Sequence, residues 1–246
     1  MFCEDHNLLF VHIPKTAGTT VEMLLKPYAS DKVKFIQRDP KQYAWDDDIE
    51  LHITQRGYFH TKHWTLQDHI RGWMLDERVN QLETFTVVRN PYERMLKLYL
   101  FKLQHGEFKP LHYQPGYAES KQQYRGKHIT NAVLAKWNHK MFTEFLEGER
   151  NVKEMGARTY LSAWQHCQYQ GRMAVKHILK YENFETDLRN FFDTMNLEIP
   201  TDIPITNTTV SLTEDQLKEL YNSHNRKIIE TRYDADFETF GYEKWK

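Results

Sequence analysis

Short apolar runs alternate along the chain with longer amphipathic stretches, and that alternation predicts an α/β protein. "LLFVHI" (8–13) is a β-rich run that predicts a strand. "TTVEMLLK" (19–26) predicts a helix on which Val21, Leu24 and Leu25 share a face. "VKFIQ" (33–37) and "GYFHT" (57–61) read as further strands, and "LQDHIRGWML" (66–75) has the apolar spacing of a helix. "TFTVVRN" (84–90) reads as a buried strand. It runs into "PYERMLKLYLFKLQ" (91–104), where Pro91 suits a first helical position and Met95, Leu98 and Leu103 turn toward a core.

Residues 105–128 are rich in Gly, Pro, Tyr, Lys and His without periodicity and read as a long loop, of a size that in compact domains tends to be functional or disordered. Beyond it, 130–148 reads as helix and "VKHILKYE" (175–182) as strand. "NFETDLRNFFDTMNL" begins a helix for which Asn183 is the expected cap. The aromatic and methionine residues near 191–195 read as core. After the Pro-containing linker "EIPTDIPITNTTV", two helical stretches, 212–233 and 234–242, close the chain. Residues 1–246 are expected to form one domain, with 105–128 on the acceptor side and 198–246 as a C-terminal helical part. Repeated strand, loop and helix units imply a mostly parallel central sheet flanked by helices, with ligands bound beyond the carboxyl ends of its strands.

Charge adds a restriction. The chain of 246 residues carries 33 basic and 34 acidic side chains, a net charge of -1, so no global field draws it onto nucleic acid or an anionic membrane. Polyanion recognition must be local. Two cysteines, Cys3 and Cys167, are too few for a disulfide framework and favour a reducing compartment. The N-terminal apolar stretch is far shorter than the roughly 20 residues a membrane span needs, and no basic leader precedes it. The expectation is a cytoplasmic protein, or one of the Golgi lumen if the chain is trimmed.

"HIPKTAGTT" (12–20) lies where a strand gives way to a helix, so backbone N–H groups converge on a point where the helix dipole is positive. Gly18 permits close backbone approach, Thr19 and Thr20 bring hydroxyls, and Lys15 brings a point charge. The lysine precedes the only glycine, an order opposite to that of the nucleotide-hydrolase loop G-x-x-x-x-G-K-[ST], which counts against an ordinary ATP or GTP site. The plainer alternative is a capped turn with a solvated lysine. Arg89, leaving a buried strand, suits bidentate phosphate binding, or else an ion pair such as one with Glu93.

"FVHIPKTAGTT", followed about 70 residues later by "FTVVRNPYERMLKLYLF", resembles the two cofactor motifs of the sulfotransferases that use 3′-phosphoadenosine 5′-phosphosulfate. The resemblance is to the carbohydrate type related to heparan sulfate 2-O-sulfotransferase, and it extends weakly through "ILKYENFETDL" and "YDADFETFGY". It implies a P-loop-NTPase-like sulfotransferase fold. It also implies that the stretch Lys15, Thr16, Ala17, Gly18, Thr19 and Thr20 holds the 5′-phosphosulfate, with Lys15 near the bridging oxygen, and that Arg89 holds the 3′-phosphate. Where the family places a serine eight residues after that arginine, this chain has Lys97, which either replaces the hydroxyl with a charge or points to solvent. The product would be 3′,5′-adenosine bisphosphate, and no metal is required.

An acceptor hydroxyl must lose its proton to a base that titrates near neutrality. "GYFHTKHWT" supplies His60 and His63, and by resemblance a histidine of this stretch is the base, with spacing that favours His63. With 13 histidines in the chain, a structural role stays open for either. In the long loop, Tyr113, Tyr117 and Tyr124 could stack on sugar rings while Lys121, Arg125 and Lys127 pair with an acidic glycan; a solvated loop is the alternative. The function implied is sulfuryl transfer to a hydroxyl, most simply of a carbohydrate. The alternatives are an ATP-dependent small-molecule kinase and a non-catalytic nucleotide- or glycan-binding module.

Overall fold

A computed structural model describes residues 1–29, 63–72, 75, 78–104, 139–148, 157–203 and 214–245. The strands are β1 (Phe2–Cys3), β2 (Leu8–Val11), β3 (Glu83–Val88), β4 (Gln168–Tyr169), β5 (Arg172–Met173) and β6 (His177–Lys180). The α-helices are α1 (Gly18–Leu25), α2 (Leu66–Gly72), α3 (Pro91–Gln104), α4 (His139–Glu147), α5 (Ala163–Cys167), α6 (Phe184–Thr194), α7 (Glu214–Leu220), α8 (Ser223–Arg232) and α9 (Asp234–Phe240). The chain divides into two compact units: Met1–Arg89 with Leu161–Thr206, and Asn90–Tyr160 with Asn207–Lys246.

The first unit holds a four-stranded sheet in the order β1-β2-β3-β6. β1 runs antiparallel to β2, whereas β2, β3 and β6 are parallel, so the sheet is mostly parallel, as the sequence pattern predicts. On one face Leu8 and Phe10 of β2, Phe85 and Val87 of β3 and Leu179 of β6 pack with Val21, Leu24 and Leu25 of α1 and with Leu188, Phe191 and Phe192 of α6. The Phe85 ring stacks on Phe191 at 4.2 Å and tilts against Phe10 at 4.9 Å. The alternate residues Leu9, Val11 and Val88 are also fully buried. Burial on both faces explains why these strands read as continuous apolar runs rather than as an alternation.

Three local features depart from the sequence expectations. Asn183 precedes α6 without a side-chain capping bond; instead the Asp187 carboxylate, one turn inside the helix, accepts the Lys180 N–H at 2.8 Å and ties the end of β6 to α6. The stretch 212–233 is not one helix. It breaks after α7, where the Asn222 side chain accepts the Asn225 N–H at 3.0 Å and caps α8. A β4-β5 hairpin, for which no strand is predicted, turns at Gln170 and Gly171, both left-handed (φ 51 and 77), the torsions that a tight two-residue turn requires. The expected strands 33–37 and 57–61 and the loop 105–128 lie outside the described residues.

In the second unit an aromatic core of Tyr92 and Tyr99 of α3, Phe142 and Phe145 of α4, Tyr221, Tyr233 and Phe237 holds the helices together. Met95 and Leu98 are buried there as expected; the side chain of Leu103 lies outside the described set. Pro91 opens α3, and the Asn90 side chain accepts the Tyr92 N–H at 3.0 Å, so start signal and cap coincide. Among the described residues no helix is long and apolar enough to cross a membrane.

Candidate anion site at the strand ends

Parallel strands β2, β3 and β6 end at one edge of the sheet, so the residues that follow them share that edge. After Val11 the chain turns through 12–17 and enters α1. Lys15 and Ala17 both adopt left-handed torsions (φ 69) although neither is glycine, while Thr16 and Gly18 do not. Such torsions cost on the order of 1 kcal/mol each and gather at functional sites. Alternating them with ordinary residues makes successive N–H groups converge on an anion-binding concavity. Ala17 is the N-cap and offers no capping side chain, and the first turn of α1 carries no acidic residue, so nothing from these positions opposes the positive helix end. The fully buried Thr16 hydroxyl donates to the Ile13 carbonyl at 2.8 Å and braces the loop.

Beneath the loop lies a pair that the sequence reading missed. The His12 ring, 3% exposed, donates from Nδ1 to Oε1 of the equally buried Glu22 at 2.6 Å. The opposite edge of the ring lies against Gly18, where a Cβ would come within 2.2 Å of Cδ2 and Nε2. The close approach at Gly18 is therefore made by this ring.

The half-buried His63 meets His12 edge-on, with ring centroids 4.7 Å apart, and its Nδ1 lies 3.3 Å from the His12 carbonyl. A carbonyl only accepts, so this bond places the proton of neutral His63 on Nδ1 and leaves Nε2 as the basic nitrogen. His60 lies outside the described residues.

Arg89 follows β3 and is 8% exposed. Its guanidinium lies over the ring of Tyr181, 3.8 Å from the centroid, and Tyr181 follows β6. Since Val88 pairs with Lys180, Arg89 and Tyr181 are the next residues beyond the paired strands. Stacking engages the face of a guanidinium and directs its donors within the plane, the geometry that suits an oxyanion. Tyr181 was missing from the sequence-predicted set; its signal was a tyrosine near the end of the predicted strand 175–182. Lys97, also singled out from sequence, is half-buried on α3 and belongs to the second unit.

Residues 1–243 match the family model described as "Sulfotransferase family". The chain belongs to the sulfotransferase family. No curated protein and no solved structure gives a significant match. A sulfotransferase is a transferase that moves a sulfuryl group from a sulfate donor to an acceptor, and its site must hold anions and meet charge that develops on the leaving oxygen. The donor set at this edge has that character: Lys15, Arg89, the Thr19 and Thr20 hydroxyls and the N–H groups opening α1. The Glu22 carboxylate, farther along α1, is engaged by His12. Among the described residues no group of three or more His, Cys, Asp or Glu side chains could hold a metal ion.

Proposed function

We propose that the protein is a sulfotransferase that uses 3′-phosphoadenosine 5′-phosphosulfate and acts on a carbohydrate hydroxyl, in the manner of the heparan sulfate 2-O type, on a P-loop-NTPase-like fold. The observation that carries this reading is the pair of left-handed residues Lys15 and Ala17 in the strand-to-helix loop together with a buried, stacked arginine at the end of the adjacent parallel strand. The family match runs through both compact units, which supports reading 1–246 as one sulfotransferase domain.

The donor supplies a sulfuryl group carried on a phosphate leaving group. Lys15 neutralises charge on the leaving side, and the N–H groups of the loop with Thr19 and Thr20 hold the 5′ end. Arg89 binds the 3′-phosphate. His63 accepts the acceptor proton on Nε2, while its Nδ1–H remains on the His12 carbonyl. The residues orient an in-line displacement and stabilise its charge, so most of the rate enhancement is positional and electrostatic.

Calorimetric titration of 3′,5′-adenosine bisphosphate against ATP with magnesium, on wild type and on Arg89→Ala, tests the reading. The bisphosphate should bind in preference, and the variant should lose at least about tenfold in affinity, as expected for a charge-assisted bidentate contact. Preference for ATP with magnesium would favour a kinase. Bisphosphate binding without transfer to a broad acceptor panel would favour a binding module.

A further inference from the structure

Glu22 stands out within α1 because it is a buried carboxylate in an otherwise apolar stretch, at a position where an aliphatic side chain would serve the core at lower desolvation cost. It lies four residues after Gly18 and so shares that residue's helix face. From there it reaches His12, ten residues earlier across the loop, at 2.6 Å. An imidazole has a broad, roughly two-fold torsional preference about its outer bond; one carboxylate on Nδ1 selects a single orientation. That orientation lays the Cδ2–Nε2 edge of the ring against Gly18, fixing the spacing between the end of β2 and the first turn of α1. It also sets the ring that His63 meets edge-on at 4.7 Å, on the residue whose carbonyl receives the His63 Nδ1–H.

We infer that Glu22 is a positioning residue that acts through His12 on both parts of the site, the anion loop and the base. The inference rests on the reading of His63 and the loop as transfer machinery. Its structural content is that a single imidazole, oriented by one buried carboxylate, couples the loop carrying Lys15 to the orientation of His63.

The test compares Glu22→Gln with Glu22→Leu in the full chain. Glutamine keeps an oxygen that can accept from Nδ1, and leucine does not. Glu22→Gln should stay within about threefold of wild type in kcat and in bisphosphate affinity. A folded Glu22→Leu should lose at least about tenfold in kcat and several-fold in bisphosphate affinity, because the base and the loop both lose their reference point. A leucine variant within twofold of wild type on both measures overturns the inference, and so does a glutamine variant as impaired as the leucine one.

If Glu22→Leu does not fold, the double variant His12→Phe/Glu22→Leu replaces both polar partners by apolar groups of similar shape. The same loss is expected of it, and wild-type kcat there would be equally decisive against positioning. Imidazole nitrogen NMR separates this question from the choice of donor. Wild type should show His12 and His63 with the proton on Nδ1, and Glu22→Leu should redistribute it. If wild type neither binds the bisphosphate nor transfers sulfate, the donor reading fails by itself; unchanged His12 and His63 spectra in Glu22→Leu would then reject the positioning role.

Discussion

Gly18 has no left-handed backbone torsion, so its missing side chain answers to packing against the His12 ring. A Cβ at Gly18 would lie 2.2 Å from two atoms of a ring pinned by Glu22, which leaves little room for accommodation. Gly18→Ala is expected to destabilise the fold by about 1–3 kcal/mol, the usual range for overpacking, and to weaken bisphosphate binding as the loop is pushed off the ring. Denaturant midpoints and calorimetry on the same sample would check this; an alanine variant neutral in both would mean that the ring moves aside at no cost. The places of the 12–20 loop and of Arg89 after strand ends were legible from sequence, because the apolar runs before them mark β2 and β3. His12 and Glu22 were not. His12 lies within the predicted strand 8–13 as one of 13 histidines, and Glu22 is a polar position within the predicted helix 19–26. Their meeting depends on left-handed torsions at Lys15 and Ala17 that no glycine announces.

At the scale of elements, strong start signals were readable and weak pairings were not. α3 begins at Pro91 because a proline at its first position and an Asn90 cap agree. The β4-β5 hairpin has strands of two residues, too short for a period of two to register. The break between α7 and α8 was hidden because Asn222 acts as a cap only once the chain has turned there. The entry of β3 beside β6 is clamped in a way that makes a pH prediction. The Glu83 carboxylate accepts from Lys176 Nζ at 2.9 Å and from His177 Nε2 at 2.8 Å, and these bonds, His177 first, hold its pKa below the usual 4.5. A depressed carboxylate contributes stability above its unfolded pKa and loses it as pH falls through the folded value. Because these side chains are about a third exposed, solvent screening keeps the contribution near or below about 1 kcal/mol. Glu83→Gln should therefore be slightly less stable than wild type at pH 7, and the two should converge as pH falls below about 4. Urea midpoints across that range that stay parallel would remove Glu83 from the account of acid stability.

For the whole molecule, a net charge of -1 leaves any anion binding to local groups, and the groups proposed for it are unevenly divided. Lys15, Gly18, Glu22, His63 and Arg89 all belong to the first compact unit, and Lys97 belongs to the second. At about 100 times its Kd a ligand bound only to the native state adds roughly 2.7 kcal/mol, which for a chain of this size raises the melting temperature by about 5–10 °C. Hydrogen exchange can show where that stabilisation falls. With the bisphosphate bound, amides of β2, α1 and β3 should gain protection first, because the loop and Arg89 are anchored in them. Equal protection along α3 would add Lys97 to the 3′-phosphate ligands, with its ammonium serving where the family's serine would. Protection confined to the second unit would contradict a site built at the ends of β2 and β3, whatever the affinity. Since opening free energies differ between parts of a chain, the pattern of protection distinguishes these outcomes where one melting temperature would merge them.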